Sequence, residues 1–143
     1  MKLFISLVFL VLMFSSCQQP PSYKEFPWKP YSQKAVEESI AHKKPVVIDF
    51  WASWCPNCRD MDRAVFSRPD IQAKLSQVTT LRMDVTNQDD PRVQRIADQF
   101  GIEGVPTVVF LNSHGKEIEN ARVIGFVTPA EFMQALALLN IFK

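Results

Sequence analysis

Two cysteines, Cys55 and Cys58, are separated by two residues and follow directly on the apolar run 46–52. This spacing allows the two sulfurs to close a small disulfide ring. If Cys55 begins a helix, unpaired backbone N–H groups and the positive end of the helix dipole stabilise its thiolate. A buried strand that leads into such a turn, with a helix leaving it, is the arrangement that dithiol–disulfide exchange requires.

Three kinds of site are compatible with this cysteine pair. A zinc site needs four ligands, but Cys17, His42 and His114 show no second paired spacing, and the histidines are expected on surface loops. A structural disulfide across two residues closes almost no loop and gives little entropic stabilisation. Redox exchange is therefore favoured, with no metal and no cofactor. We expect Cys55 to be the more exposed sulfur and to attack a partner's disulfide, and Cys58 to resolve the mixed disulfide.

Two of the acidic residues near the cysteines are candidates for the site. Asp49 lies in the apolar strand, six residues before the first cysteine. A charged, unpaired carboxylate there costs several kcal/mol, so we expect a raised pKa; a strand aspartate with satisfied hydrogen bonds and no catalytic part is the alternative. Asp62 follows Cys58 by four residues and shares its helix face. It is equally well interpreted as a solvated surface acid, offset by Arg59 and Arg63.

Hydrophobic periodicity and turn residues predict an α/β domain with a mixed sheet. The run Val46–Ala52 is typical of a central strand covered on both faces. The predicted strands cover 26–29, 46–52, 78–85, 107–111 and 117–126, the last two forming an antiparallel hairpin. The predicted helices, caps included, cover 32–44, 55–66, 67–76, 90–100 and 128–139.

The N-terminus is predicted to be a signal. After Lys2, residues 3–14 are apolar apart from Ser6. A helix of that length reaches about 18 Å, short of a bilayer core of about 30 Å, so a signal peptide fits better than a membrane span. The small residues before Cys17 resemble a bacterial lipoprotein signal, in which the cysteine is lipidated and becomes the new N-terminus. Ordinary cleavage near Ser16, which leaves Cys17 as a free thiol, is the alternative.

The chain is therefore predicted to have three segments. These are a lipoprotein signal peptide at 1–16, an extended proline-rich tether at 17–30 and one folded domain at 31–143. Gln18 follows the lipidation cysteine where some lipoproteins have Asp, which by resemblance to the Gram-negative sorting rule favours the outer membrane. The net charge of +1 and the lack of a basic cluster give no electrostatic support for nucleic-acid binding.

The cysteine motif Asp49–Cys58 and the later motif Gly104–Thr107 together resemble the thioredoxin superfamily. Further stretches are similar to the C-terminal thioredoxin-like domain of the DsbD family, namely Val65–Pro69, Asp84–Thr86 and Ala121–Phe126. The chain departs from that family in the Pro-Asn pair between its cysteines. We expect a stand-alone lipoprotein that has neither the family's membrane domain nor its N-terminal acceptor domain.

The resemblance implies a thioredoxin fold, a three-layer sandwich in which helices flank a central mixed β-sheet. It implies that Asp49 lies beneath Cys58 and helps to take its proton. It also places Asp62 where the DsbD domain has a glutamate that raises the pKa of the nucleophilic cysteine.

The resemblance further implies a substrate-binding surface around the dithiol. The peptide bond before Pro106 should be cis, so that the proline faces the dithiol and the backbone of Val105 can pair with a substrate. Trp54 and Pro56 belong to the same contact surface, whereas Trp51 is expected to pack in the core.

These expectations together predict a periplasmic, membrane-anchored thiol–disulfide oxidoreductase that reduces protein disulfides. Its predicted partners are protein or peptide disulfides and a membrane electron donor of the DsbD type, with a lipid anchor at Cys17. No histidine lies between the cysteines, unlike in the strong oxidants, which favours a reductase over an oxidase or isomerase. A cytochrome c maturation reductase uses the same dithiol chemistry. A non-catalytic thioredoxin-like binding module is the alternative from another functional class.

Overall fold

In the computed structural model, residues 23–139 are described, and the predicted order of strands and helices is confirmed. The strands are β1 (Lys29–Pro30), β2 (Val46–Trp51), β3 (Thr79–Asp84), β4 (Thr107–Leu111) and β5 (Val123–Ile124). The helices are α1 (Gln33–Ala41), α2 (Pro56–Met61), α3 (Pro69–Leu75), α4 (Pro91–Gln99) and α5 (Pro129–Ala137). A π-helical turn (Asp62–Phe66) continues α2, and a 3₁₀ turn (Glu119–Ala121) precedes β5.

Helix starts follow capping residues in the sequence. Ser32, Asp90 and Thr128 each accept a hydrogen bond from a backbone N–H of the first turn, and Thr128 forms the predicted capping box with Glu131. Proline is the first residue of α2, α3, α4 and α5, where its missing N–H loses no helical bond. Between residues 23 and 139, no helix combines the length and apolarity needed to cross a membrane.

The five strands form one mixed sheet in the order β1-β3-β2-β4-β5. The central strand β2 pairs parallel with β3 and antiparallel with β4. At the edges, β1 runs parallel to β3, and β5 runs antiparallel to β4. The predicted mixed sheet is confirmed, and β2 is buried along almost its whole length because helices cover both of its faces.

The alternation of side chains along β2 separates two layers of core. Val46, Ile48 and Phe50 pack on the face that α1 and α4 cover. Val47, and by alternation Asp49, point to the face that α2, α3 and α5 cover. The aspartate therefore lies on the same side of the sheet as the body of the helix that begins at the cysteines.

The end of the predicted tether packs on the domain. Phe26 and Trp28 contact the core layer beneath α2 and α5, and the ring of Trp28 lies 5.1 Å from that of Phe66. The edge strand lies at Lys29–Pro30 rather than at 26–29. Packing therefore begins upstream of residue 31, the predicted start of the domain.

The predicted hairpin is interrupted. Only Val123–Ile124 pairs as a strand with β4, and Glu117 makes a single bridge to Leu111. Between these points the chain turns inward and buries Ala121, which is 1% exposed. A continuous strand over 117–126 was therefore wrong, because core packing displaces the middle of the segment from the sheet edge.

The predicted helix 55–66 also changes its form. Its last turn is π-helical, and the N–H of Ser67 donates to the carbonyl of Asp62, five residues back, at 3.0 Å. Such turns widen the helix locally and are frequent near functional sites. The widened turn carries Asp62, the second predicted site acid.

Candidate active site

The two cysteines stand at the junction of β2 and α2, as predicted. Cys55 is the residue before the helix, and Pro56 is the first helical residue. Cys55 and Cys58 are joined by a disulfide, with their Cα atoms 5.3 Å apart. The structure therefore describes the oxidised form of the pair.

The backbone around Cys55 favours a thiolate on that residue. The N–H of Cys58 donates to Sγ of Cys55 at 3.1 Å. A donor aimed at the sulfur from the start of a helix stabilises negative charge there. The expected difference in exposure was wrong, since the two residues are 2% and 1% exposed. In the oxidised form, exposure therefore does not distinguish the two cysteines.

Beside the disulfide, the peptide bond between Val105 and Pro106 is cis, which confirms the expectation. The carbonyl oxygen of Val105 lies 3.6 Å from Sγ of Cys55. This is a contact rather than a hydrogen bond, because a disulfide sulfur carries no hydrogen. The N–H of Gly125 donates to the carbonyl of Pro106 at 2.8 Å and ties this loop to the end of β5.

Trp54 is an exposed aromatic residue held in a defined orientation. The residue is 52% exposed, and its Nε1 donates to the carbonyl of Thr86 at 3.1 Å. Thr86 Oγ1 in turn accepts from the N–H of Ser53 at 2.9 Å. Pro56 is exposed beside it. Both predicted contact residues are therefore available to a partner at the edge of the dithiol.

Asp49 and Asp62 are joined by a third residue, Arg82. Arg82 Nε donates to Asp49 Oδ2 at 2.7 Å. The same guanidinium donates through Nη2 to Asp62 Oδ1 at 2.5 Å and through Nη1 to Oδ2 at 3.3 Å. The side chains of Asp49, Arg82 and Asp62 are 2%, 20% and 16% exposed, so this is a largely buried ion network. With all three groups ionised, its net charge is −1.

Two tryptophans cover the guanidinium of Arg82. Its Cζ lies 5.2 Å from the centre of the Trp28 ring and 5.5 Å from that of Trp51. Both rings are within the range of cation–π attraction. Trp51, expected to pack in the core, is partly buried against the core layer of α1 and α4. Trp28 reaches the network from the segment that precedes β1, so this segment helps to exclude water from the ion pairs.

Burial decides the pKa of Asp49. Desolvation raises the pKa of Asp49 to about 6, above the usual aspartate value of 3.8, while the charge and hydrogen bond of Arg82 act to lower it and the charge of Asp62 raises it. The raised pKa expected from the sequence is confirmed, although the carboxylate is paired rather than isolated. For Arg82, burial acts to lower the pKa, but the two carboxylates outweigh it and the pKa is raised. Arg82 therefore stays charged while Asp49 titrates.

Sequence reasoning missed Arg82 and assigned the wrong basic neighbours to Asp62. Arg59 instead donates to the carbonyl of Ser53 at 2.7 Å, and Arg63 pairs with Asp60 at 2.5 Å. The available signal was a basic residue in the middle of the predicted strand 78–85. In the parallel pairing of β2 with β3, Arg82 is the register partner of Asp49.

The remaining candidates lie apart from the dithiol or outside the described residues. His42 and His114 are exposed, and His42 Nδ1 lies 2.7 Å from the carbonyl of Glu38 in its own helix. Within residues 23–139, no group of three or more His, Cys, Asp or Glu residues is arranged to hold a metal ion. Cys17, the predicted lipidation site, lies outside the described part of the chain, as does the predicted signal peptide.

Comparison with known proteins decides the family. The model of the thioredoxin-like domain matches residues 32–140. The chain belongs to the thioredoxin-like family. Solved structures of this fold agree: the reduced C-terminal domain of DsbD from Neisseria meningitidis matches with a TM-score of 0.65 and 27% identity over 73% of this chain and 90% of that chain. A thioredoxin from Thermus thermophilus matches with a TM-score of 0.66 and 28% identity over 82% of this chain and 89% of that one.

Curated relatives of this thioredoxin-like chain carry the name thiol:disulfide interchange protein DsbD. The protein from Photorhabdus laumondii is 33% identical over 109 residues, which is 76% of this chain and 18% of the relative. That from Vibrio cholerae is 33% identical over 104 residues, 73% of this chain and 17% of the relative. The chain thus spans less than a fifth of the length of these relatives. A CxxC disulfide in a thioredoxin-like, DsbD-like domain supports thiol–disulfide exchange chemistry in general.

Proposed function

We propose that the protein is a periplasmic, lipid-anchored thiol–disulfide oxidoreductase that reduces disulfide bonds in other proteins. The observation that carries this proposal is the Cys55–Cys58 disulfide at the start of α2, beside the cis bond between Val105 and Pro106. An exposed Trp54 at the edge of the pair supplies an apolar contact for a partner.

The first step starts from the dithiol form of the protein. The thiolate of Cys55 attacks one sulfur of a partner's disulfide, so that a bond from Cys55 to that sulfur forms and the partner's S–S bond breaks. The other partner sulfur leaves as a thiolate and takes a proton from solvent. The hydrogen bond from the N–H of Cys58 to Cys55 Sγ favours the attacking thiolate.

The second step releases the partner. The thiol of Cys58 gives up its proton, in our proposal to Asp49, and attacks Sγ of Cys55. The internal disulfide forms, the mixed disulfide breaks, and the second partner sulfur leaves as a thiolate. The partner has then gained two electrons, and the protein has reached the oxidised form seen in the structure.

The direction of electron flow rests on two arguments. The pair Pro56-Asn57 between the cysteines contains no histidine, unlike the strong oxidants. Asp49, Asp62 and Arg82 lie on the side of the sheet that α2 covers, and together they carry a net negative charge when all three are ionised. This negative charge disfavours a very stable Cys55 thiolate. A less stable thiolate makes the dithiol a better reductant. A dithiol donor of the DsbD type is needed to reduce the protein again.

Insulin reduction by the full chain, with a dithiol as electron source, tests the proposal. We expect turnover in the wild type, none in Cys55→Ser, and an accumulated mixed disulfide in Cys58→Ser. Cys17→Ser is the matched control, because it removes the third cysteine and leaves the pair intact, so turnover should persist. Lack of turnover in the wild type would favour the non-catalytic binding module.

The reduction potential tests the direction. Measured against glutathione, the reduction potential of the Cys55–Cys58 pair should be closer to that of thioredoxin, about −270 mV, than to that of DsbA, about −120 mV. A value near the latter would support an oxidase and contradict the reductase proposal.

The lipid anchor is tested by metabolic labelling with palmitate. We expect labelling of the wild type, its loss in Cys17→Ser, and sedimentation of the labelled protein with the outer membrane. Gln18→Asp should remain labelled and move to the inner membrane. An unlabelled, released wild-type protein would instead indicate ordinary cleavage of the signal.

A further inference from the structure

A groove runs beside the disulfide on the side of α4. It lies between Trp54 and that helix and has a volume of about 170 Å³. Its apolar lining is supplied by Val85, Val93, Ala97, Ile102 and Val105. A dry apolar cavity of about 150 Å³ is large enough to hold a benzene-sized group. The groove, here called the Trp54 groove, is therefore sized for one large apolar side chain.

The Trp54 groove is lined by two residues that adjoin the reactive cysteine. Trp54 directly precedes Cys55 in the chain, and the carbonyl of Val105 lies 3.6 Å from Cys55 Sγ. Both Trp54 and Val105 line the groove. The hydrogen bond from Trp54 Nε1 to Thr86 holds the indole in place as one wall. A peptide bonded to Cys55 therefore has neighbouring residues within reach of the groove.

Two carboxylates at the rim of the groove form no ion pair within the described residues. Asp98 and Glu103 both line it and are exposed, and neither forms an ion pair within residues 23–139. Among the lining residues of this described part of the chain, none is Lys or Arg. Two unpaired carboxylates at an apolar groove complement a partner that carries positive charge.

The opposite side of the dithiol differs in this respect. A second depression there is lined by Asn57, Ala64 and Phe126, together with Asp60 and Arg63. Asp60 and Arg63 pair with each other at 2.5 Å, so their charges are satisfied within the protein. Of these two depressions, the Trp54 groove is therefore the one whose unpaired charges select a partner.

We propose that Asp98 and Glu103, at the rim of the Trp54 groove, select substrate proteins in which a Lys or Arg and an apolar side chain lie next to the reactive cysteine. This inference rests on the proposed function, since it defines the class of disulfide substrate for the same dithiol. The apolar contact supplies affinity, and the exposed carboxylates supply a preference and a faster encounter.

The test uses the reduced full chain and short peptides in which a single cysteine is bonded to 2-nitro-5-thiobenzoate. Attack by Cys55 on the peptide sulfur forms the mixed disulfide and releases the coloured thiolate, whose appearance gives the rate. The peptides carry leucine and either lysine or glutamate near the cysteine, on either side of it. We expect the lysine peptide to react about three- to tenfold faster than the glutamate peptide at low salt, since each exposed charge contact is weak.

Salt and substitution identify the source of the preference. The ratio of the lysine-peptide rate to the glutamate-peptide rate should approach one in about 1 M salt, where the screening length falls to about 3 Å. The double variant Asp98→Asn/Glu103→Gln should lose the preference. The matched control Glu37→Gln/Glu38→Gln removes two charges on α1, away from the groove, and should keep it. Replacing leucine by serine in the lysine peptide should slow the reaction.

The outcomes separate this inference from the proposed function. Equal rates for the lysine and glutamate peptides, with normal reduction of the small neutral disulfide of 2-mercaptoethanol, would overturn the inference alone. A preference that the control variant also loses would overturn it as well, because it would then reflect net charge. Failure to reduce any disulfide would overturn the proposed function itself.

Discussion

Arg82 Nε lies 2.7 Å from Asp49 Oδ2, so a guanidinium on β3 holds the one carboxylate of the central strand. The same guanidinium binds Asp62 on the turn that continues α2. Because two carboxylates share one cation, the charge of the network depends on the proton of Asp49: −1 when Asp49 is ionised and zero when it is protonated. Burial raises the pKa of Asp49 to about 6, so this charge changes near neutral pH.

Replacing Asp49 by Asn should remove a pH dependence from the second step of exchange. In the wild type, resolution of the mixed disulfide should become faster as the pH rises through about 6, because ionised Asp49 can then accept the proton of Cys58. Asp49→Asn should slow this step about a hundredfold and abolish that inflection. Stopped-flow measurement of the rate at which the mixed disulfide is resolved, from about pH 4.5 to 8.5, tests this prediction. An inflection retained in the variant would contradict the role of Asp49 as proton acceptor.

The same substitution has a defined effect on stability. The pKa of Asp49 is about 6 in the fold, against the usual aspartate value of 3.8 in the unfolded chain, so the folded state binds the proton more tightly. The resulting stabilisation is fully present below about pH 4 and is lost as the pH rises towards 6 and above. The difference in unfolding free energy between wild type and Asp49→Asn should therefore fall by about 2 kcal/mol between pH 4 and 7. Urea unfolding at several pH values checks this sign.

Replacing Arg82 by Met should raise the pKa of Asp49 further. The charge and the hydrogen bond of Arg82 both lower that pKa, so their loss should move the inflection to about pH 7 or higher. At pH 7 the variant should also be destabilised by about 3–5 kcal/mol, because two buried carboxylates lose their partner. Arg82→Lys keeps the charge but not the fork that reaches both acids, so a smaller change is expected. Equal effects of Met and Lys would show that charge is irrelevant here.

Replacing Asp62 by Asn should move the inflection the other way. The charge of Asp62 raises the pKa of Asp49, and its removal also leaves the guanidinium of Arg82 to Asp49 alone. We therefore expect the inflection in the resolution rate to lie below pH 6. The size of this shift should be smaller than in Arg82→Met. Asp60→Asn is the control, because Asp60 pairs with Arg63 on the helix surface and should leave the profile unchanged. A shift of similar size in both variants would argue for a general effect of net charge.

The features that sequence analysis predicted correctly are those with a local cause. The cysteine spacing and the apolar strand before it place Cys55 at a helix start. The capping box at Thr128 follows from residues three positions apart. The cis bond at Pro106 came from family resemblance, since cis bonds are a minority of about 5% even before proline.

The features that it missed depend on pairing between distant segments. Arg82 meets Asp49 only through the register of β2 on β3, which the hydrophobic pattern of either strand does not determine. Ala121 leaves the sheet edge because the core beneath α5 accepts it, and this overrides the strand pattern of 117–126. The packing of Trp28 on Arg82 joins the predicted tether to the site, and proline-rich composition alone indicates only an extended chain.

Trp28 provides a test of how that segment is held. Its ring makes edge contacts with Phe26 and Phe66 at 4.9 and 5.1 Å, while its buried Nε1 has no hydrogen-bond partner among the described residues. Trp28→Phe keeps an aromatic ring and removes the unpaired N–H, so the unfolding free energy should change by less than about 1 kcal/mol. Trp28→Ala should lower it by about 3 kcal/mol, through lost burial and a cavity over Arg82. Trp54→Ala is the control, because that residue is 52% exposed and its loss should affect stability little. Equal losses in Trp28→Phe and Trp28→Ala would mean that a phenyl ring does not replace the packing of the indole, and would contradict this prediction.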